Sequence, residues 1–151
     1  MVESGTMFLG TYSHTIDPKN RLVLPSKIAA KLSKTVVVSK GFDGCLELRT
    51  LEDFEEYSKS LMSYSSNKRD NRLLKRVILP NASIIDIDSA KRILIPANLL
   101  KEANIKTDVT IIGVGNKLEI WDATSYASYK ERADQIYEEI AERIDDNNND
   151  K

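Results

Sequence analysis

Two Asp-x-x-x-Arg units are the residues in this chain best suited, by type and spacing, to do chemistry. Asp17, Lys19, Asn20 and Arg21 lie within His14–Pro25, HTIDPKNRLVLP, and the pattern returns 71 residues later in Ile85–Pro96, IDIDSAKRILIP, with Asp88, Lys91 and Arg92. Each Asp carboxylate can accept backbone N–H groups in its own turn and pair with its Arg, which is a purely structural role. A guanidinium held at a turn tip can instead meet phosphates or the edge of a guanine. Lys19 and Lys91 lie on the same two turns, so each tip carries two positive charges. Both roles stand open on residue chemistry alone.

Other candidates read as structure. Lys68, Arg69, Arg72, Lys75 and Arg76 are opposed only by Asp70, as on a solvated helix face. His14 is the only histidine, with no second ligand at metal-binding spacing, so it reads as a strand residue and no metal site is expected. A Ser–His–Asp triad lacks its nucleophile elbow. Gly113-Val114-Gly115 is too short to cradle a dinucleotide and reads as turn chemistry. Cys45 has no basic neighbour within Phe42–Leu48 and reads as a buried thiol. Nothing resembles an active site, so the expectation is a protein with no catalysis and no cofactor.

The elements that must position the two arginines follow from periodicity. Phe8–Ile16 alternates as a strand, and Asp17-Pro18-Lys19-Asn20 has the composition of a tight turn. Asp opens it, Pro presets φ, and Asn tolerates the left-handed conformation. Leu22–Leu24 returns as a second strand, giving a three-residue hairpin with a bulge. Pro25-Ser26 opens a short helix, Lys27–Leu32, capped by Ser26. Thr35–Ser39 and Leu46–Leu48 form a further hairpin. Thr50–Asp53 resembles a capping box before a helix with Leu51, Phe54, Tyr57, Leu61 and Met62 on one face. Arg72–Leu79 is expected to lead back into strand.

The second arm repeats this order. Ile84–Ile87 and Ile93–Ile95 are strands around the turn Asp88–Lys91, and Pro96 enters a short helix to about Ala103. Val109–Ile112 and Leu118–Trp121 form the second hairpin. Gly41 aligns with Gly113 and Leu46 with Leu118 at an offset of 72, which implies one residue inserted between motif and hairpin. Tyr126, Tyr129, Ala133, Ile136, Ile140 and Ile144 mark a longer helix capped by Asp122, and Asp145–Lys151 reads as an unstructured polar tail.

An arm of about 40 residues cannot bury a sufficient core alone. Two matching arms can complete each other's sheet, which predicts one β-structure with internal pseudo-two-fold symmetry. The competing arrangement is two independent domains joined near residue 65. The expected boundaries are 7–82 for the first half with its linker helix and 83–145 for the second, with 1–6 and 146–151 flexible and Met7 the natural start.

Bulk properties fit a soluble chain. Of 151 residues, 41% are hydrophobic and 30% charged, and no apolar run is long enough to span a membrane. The N-terminus lacks the features of a secretory signal, and a single cysteine suits a reducing cytosol. The net charge is −1, but residues 138–151 alone hold six acids and two bases. Residues 1–137 are therefore net +3, which permits an anionic partner without arguing for one.

Three stretches resemble a known family. Met7–Gly10 followed by His14–Arg21, then Gly41–Leu46, and the closing Gly113–Trp121 are similar to signatures of the bacterial MraZ proteins. The resemblance implies a mainly β fold with flanking helices, in which two tandem AbrB-like, swapped-hairpin halves close one pseudo-two-fold β-barrel. It further implies a ring-shaped homo-oligomer, taken as an octamer. The implied function is sequence-specific binding of double-stranded DNA, at short repeated elements upstream of the regulator's own division and cell-wall gene cluster. The implied location is the cytoplasm, at the nucleoid. Carried onto this chain, the DNA-contacting residues are Lys19, Arg21, Lys91 and Arg92, with Asp17, Asn20 and Asp88 forming the turns. Asn20 and Lys91 replace the family's usual glycine before the Arg, so the second turn is expected to be strained or differently shaped. The alternative reading is a structural or protein-interaction ring that touches no nucleic acid.

Overall fold

A computed structural model describes residues 7–149 of the chain. The first half supplies β1 (Thr11–Thr15), β2 (Arg21–Val23), α1 (Ser26–Ala29), β3 (Thr35–Lys40), β4 (Leu46–Thr50), α2 (Leu51–Met62) and α3 (Arg69–Ile78). The second supplies β5 (Ser83–Asp86), β6 (Arg92–Leu94), α4 (Ala97–Glu102), β7 (Asp108–Gly113), β8 (Leu118–Asp122) and α5 (Ala123–Asn149).

The strands pair mostly across the halves. A six-stranded antiparallel sheet runs in the order β1-β7-β8-β4-β3-β5, and β2 and β6 form a separate two-stranded ribbon. Only β3–β4 and β7–β8 are hairpins within one half; β1 pairs with β7, β3 with β5, β4 with β8 and β2 with β6. Each arm therefore satisfies the other's backbone hydrogen bonds, and the two independent domains do not form. In the register, Glu47 lies opposite Glu119 and Leu22 opposite Ile93. These residues are repeat mates of one another, so the pseudo-two-fold axis passes through both pairs.

Several expectations are corrected. The six-stranded sheet ends at β1 and β5, so its ladder does not close into a barrel. The three-residue turn with its left-handed Asn20 closes as expected, the Asp17 N–H donating to the Arg21 carbonyl at 3.0 Å beside the bridge Ile16↔Leu22. The local ladder stops at that bridge, and β2 continues against β6 instead. Cross-half pairing wins because β2 buries Leu22 against Ile93, both fully buried. The stretch expected as strand, 72–79, is helix α3. Its buried Ile78 and half-buried Leu74 are four apart, a helical period that alternation does not describe. Pro25, not Ser26, occupies the N-cap of α1, without a side-chain cap. Lys40 pairs with Leu46 and Gly113 with Leu118, so Gly113 is equivalent to Lys40 rather than to Gly41. Two residues are therefore inserted before β7, and the second hairpin loop is one shorter. Residues 146–149, expected as flexible tail, continue α5; residues 1–6 and 150–151 lie outside the described residues.

The core lies between ribbon and sheet. Phe8, Leu22, Ile93, Val36, Leu46 and Leu118 are fully buried there, and burying each such side chain contributes roughly 1.5–3 kcal/mol. Gly113 is glycine because the backbone of Phe8 and Leu9 runs where a Cβ would sit. Thr50 caps α2, its Oγ1 accepting from the Asp53 N–H at 3.1 Å. Its repeat mate Asp122 accepts from the Ser125 N–H at the start of α5, at 3.4 Å. Helix α5 packs Tyr126 and Tyr129 on Trp121, with ring centroids 5.5 and 5.0 Å away. From Lys130 to Asn148 it is exposed apart from the half-buried Ala133, and the exposed residues include Ile136, Ile140 and Ile144.

Candidate nucleic-acid interface

The two Asp-x-x-x-Arg turns have the same geometry. Asp17 Oδ1 accepts the backbone N–H groups of Lys19 at 2.9 Å and Arg21 at 2.8 Å, and Oδ2 accepts Arg21 Nε at 2.7 Å. Asp88 Oδ1 accepts from Ala90 at 2.9 Å and Arg92 at 2.8 Å, and Oδ2 accepts Arg92 Nε at 2.8 Å. Both carboxyls are held below their ordinary 3.8, chiefly by the arginine backbone N–H, with the guanidinium bond adding to it. The ion pair occupies Nε, so the terminal nitrogens of each fork lie outside it and remain suited to a bidentate acceptor.

The turns close through the left-handed residues Asn20 (φ 64°) and Lys91 (φ 61°). The expected difference in shape is absent: Lys91 adopts the same conformation as Asn20. The cost sits in that backbone, since a left-handed lysine lacks the local hydrogen bonding that helps asparagine there. The two lysines occupy different turn positions, because Ala90, not Lys91, is the mate of Lys19. Lys19 and Lys91 are both exposed.

Strand pairing brings the two arginines together. Leu22 and Ile93 point into the core, so the alternate residues of the ribbon, Arg21, Val23, Arg92 and Leu94, share its outer face. Arg21 lies opposite Leu94 and Val23 opposite Arg92. The arginines are thus diagonal neighbours across the pseudo-dyad, about 7–8 Å apart on a regular ladder. Sequence reasoning gave each arginine its own tip; the ribbon makes them one surface. It missed Val23 and Leu94, whose signal was their two-residue spacing from each Arg.

Beneath the sheet, charges hold the β4–β8 seam. Glu47 is 1% exposed and pairs with Arg49 at 2.7 Å and Lys117 at 2.6 Å, and Lys117 also lies 3.9 Å from Glu119. The Arg49 guanidinium stacks 3.8 Å from the Tyr57 ring centroid. Cys45 is buried, donates to the Phe42 carbonyl at 3.3 Å, and its thiol is pushed up to about 12, mainly by burial and then by Glu119 and Glu47. It matches the inert thiol expected.

The remaining candidates are placed as follows. His14 lies on edge strand β1, opposite Val109. Arg72 and Lys75 donate to the Ser66 and Tyr64 carbonyls at 2.8 and 2.7 Å, tying the turn before α3 rather than forming an open strip. Among the described residues, no group of three or more His, Cys, Asp or Glu is placed to hold a metal, and no helix is long and apolar enough to cross a membrane.

Comparison with known proteins agrees with this duplicated architecture. The family profile described as "MraZ protein, putative antitoxin-like" matches twice, over residues 7–77 and 78–148. The chain is 48% identical over 140 residues to the transcriptional regulator MraZ of Mycoplasmoides gallisepticum, covering 93% of this chain and 99% of that protein. It is 48% identical over 139 residues to the protein of that name from Mesoplasma florum, covering 91% and 95%. With that from Thermoanaerobacter sp. it shares 40% over 142 residues, covering 94% and 99%. With two tandem matches and relatives aligned over nearly their whole length, the chain belongs to the MraZ family.

Proposed function

We propose that this protein is a sequence-specific regulator of transcription that binds double-stranded DNA and carries out no catalysis. It acts in the cytoplasm, at the nucleoid, on short repeated elements upstream of its own division and cell-wall gene cluster. The observation that carries this reading is the outer face of the β2–β6 ribbon. Two arginines, each oriented by its own aspartate, stand together on one surface of a width that enters the major groove. The names of the relatives favour the same role. One ribbon makes few contacts, so a ring of protomers on repeated elements supplies the avidity. A ring without nucleic-acid binding is the competing reading, favoured by the exposed apolar stripe Ile136, Ile140 and Ile144 on α5.

Fluorescence anisotropy with the upstream DNA separates the two. Arg21→Ala and Arg92→Ala are each expected to weaken binding by about 1–3 kcal/mol per guanine contact while leaving the melting temperature close to wild type. Lys19→Ala is expected to weaken all sequences alike and flatten the salt dependence. Two arginine variants that bind like wild type refute the site.

A further inference from the structure

The outer face of the β2–β6 ribbon carries two apolar side chains that the fold leaves in water. Val23 is 44% exposed and Leu94 58%. They are repeat mates, 71 residues apart, and each stands opposite an arginine in the ladder, Val23 to Arg92 and Leu94 to Arg21. Core packing does not require them, because Leu22 and Ile93 fill that role from the other face. A ribbon that met only phosphates would gain nothing from apolar groups here. A ribbon inside the major groove would, because each thymine presents there a C5 methyl, the apolar feature of the groove floor.

The dimensions are compatible. Cross-strand neighbours stand about 5 Å apart and residues two along a strand about 7 Å, so the four-residue face is smaller than the groove's roughly 12 Å width. With base pairs spaced about 3.4 Å, an arginine and the apolar residue opposite it span one or two base pairs.

We propose that Val23 and Leu94 are sequence-reading residues that pack on thymine C5 methyl groups, each within one or two base pairs of the guanine read by the arginine opposite. This rests on the DNA-binding reading above and adds to it a second kind of readout, by shape and apolar contact rather than hydrogen bonds.

The test uses the full-length protein and duplexes selected from a randomised pool for binding to it. Each thymine of a selected duplex is replaced in turn by deoxyuridine, which deletes the methyl and leaves the pairing and hydrogen-bonding edges unchanged. Wild-type affinity is expected to fall about fourfold at the contacted positions, the equivalent of about 0.8 kcal/mol for one buried methyl. Val23→Ala and Leu94→Ala are each expected to abolish that response at their own position and keep it at the other. The deoxyuridine series on wild-type protein requires no variant to fold. The proposal is overturned if no thymine replacement changes wild-type affinity by as much as twofold, or if the variants keep the full wild-type response. It is also overturned if either variant lowers the particle mass in light scattering, which would place these residues between subunits. A pool from which nothing is enriched would instead remove the DNA-binding reading itself, and the methyl contact with it.

Discussion

Neutralising Glu47 tests whether the seam between the halves is held by charge. Glu47 and Glu119 lie directly opposite one another on β4 and β8, and like charges so placed repel. Lys117 reaches both carboxylates, and Arg49 pairs with Glu47 while stacking on Tyr57. Glu47→Gln keeps the shape but leaves Arg49, only 6% exposed, without its counter-charge. Breaking a buried pair from one side costs about 3–5 kcal/mol. With a urea m-value of about 2 kcal/mol/M, the unfolding midpoint falls by roughly 1.5–2.5 M at fixed protein concentration. Lys117→Met loses less, about 1.5–3 kcal/mol, because Glu47 keeps Arg49. The double variant Glu47→Leu/Arg49→Met removes both buried charges and is expected to be more stable than Glu47→Gln alone. The assay is urea unfolding followed by circular dichroism, with m-values compared. A Glu47→Gln midpoint within about 0.3 M of wild type, on the same m-value scale, refutes the reasoning.

Three further outcomes are expected. Lys91→Gly relieves a left-handed lysine worth about 1–2 kcal/mol, offset by about 0.4–1 kcal/mol of unfolded-chain entropy. The net gain of about 0–1.6 kcal/mol should raise the melting temperature by up to about 6 °C while DNA affinity falls through the lost charge. Asp17 and Asp88 have folded carboxyls below their ordinary 3.8, so the stability they contribute is present above that value and lost as pH falls through the lowered one. Acid titration of stability should show a falling limb below the ordinary value that Asp17→Asn/Asp88→Asn flattens. A fragment of residues 7–82 leaves β1, β2, β3 and β4 without their cross-half partners. It should be insoluble or self-paired, and gel filtration showing a cooperatively folding monomer would refute the intertwined fold.

Local chemistry made much of this protein legible in its sequence. Both turns, the Asp–Arg pairs and the caps at Thr50 and Asp122 depend on residues within a few positions of one another, and the duplication is visible as the same pattern returning 71 residues on. What misled was what crosses between the arms. Leu22–Leu24 reads as the return strand of a local hairpin, because a tight turn favours the nearest partner. The local pairing ends at the bridge Ile16↔Leu22, and the ladder of β2 runs against β6, with Leu22 opposite Ile93, where both bury completely. The same apolar composition in 72–79 fits strand or helix, and burial of Ile78 with Leu74 one helical turn before it selects the helix. Two arginine-bearing turns are written in local residue types. Pairing of β2 with β6 makes them one dyad-related face with Val23 and Leu94 between them. Strand pairing is set by burial between residues as far apart as Leu22 and Ile93, 71 positions along the chain, and local periodicity carries no record of it.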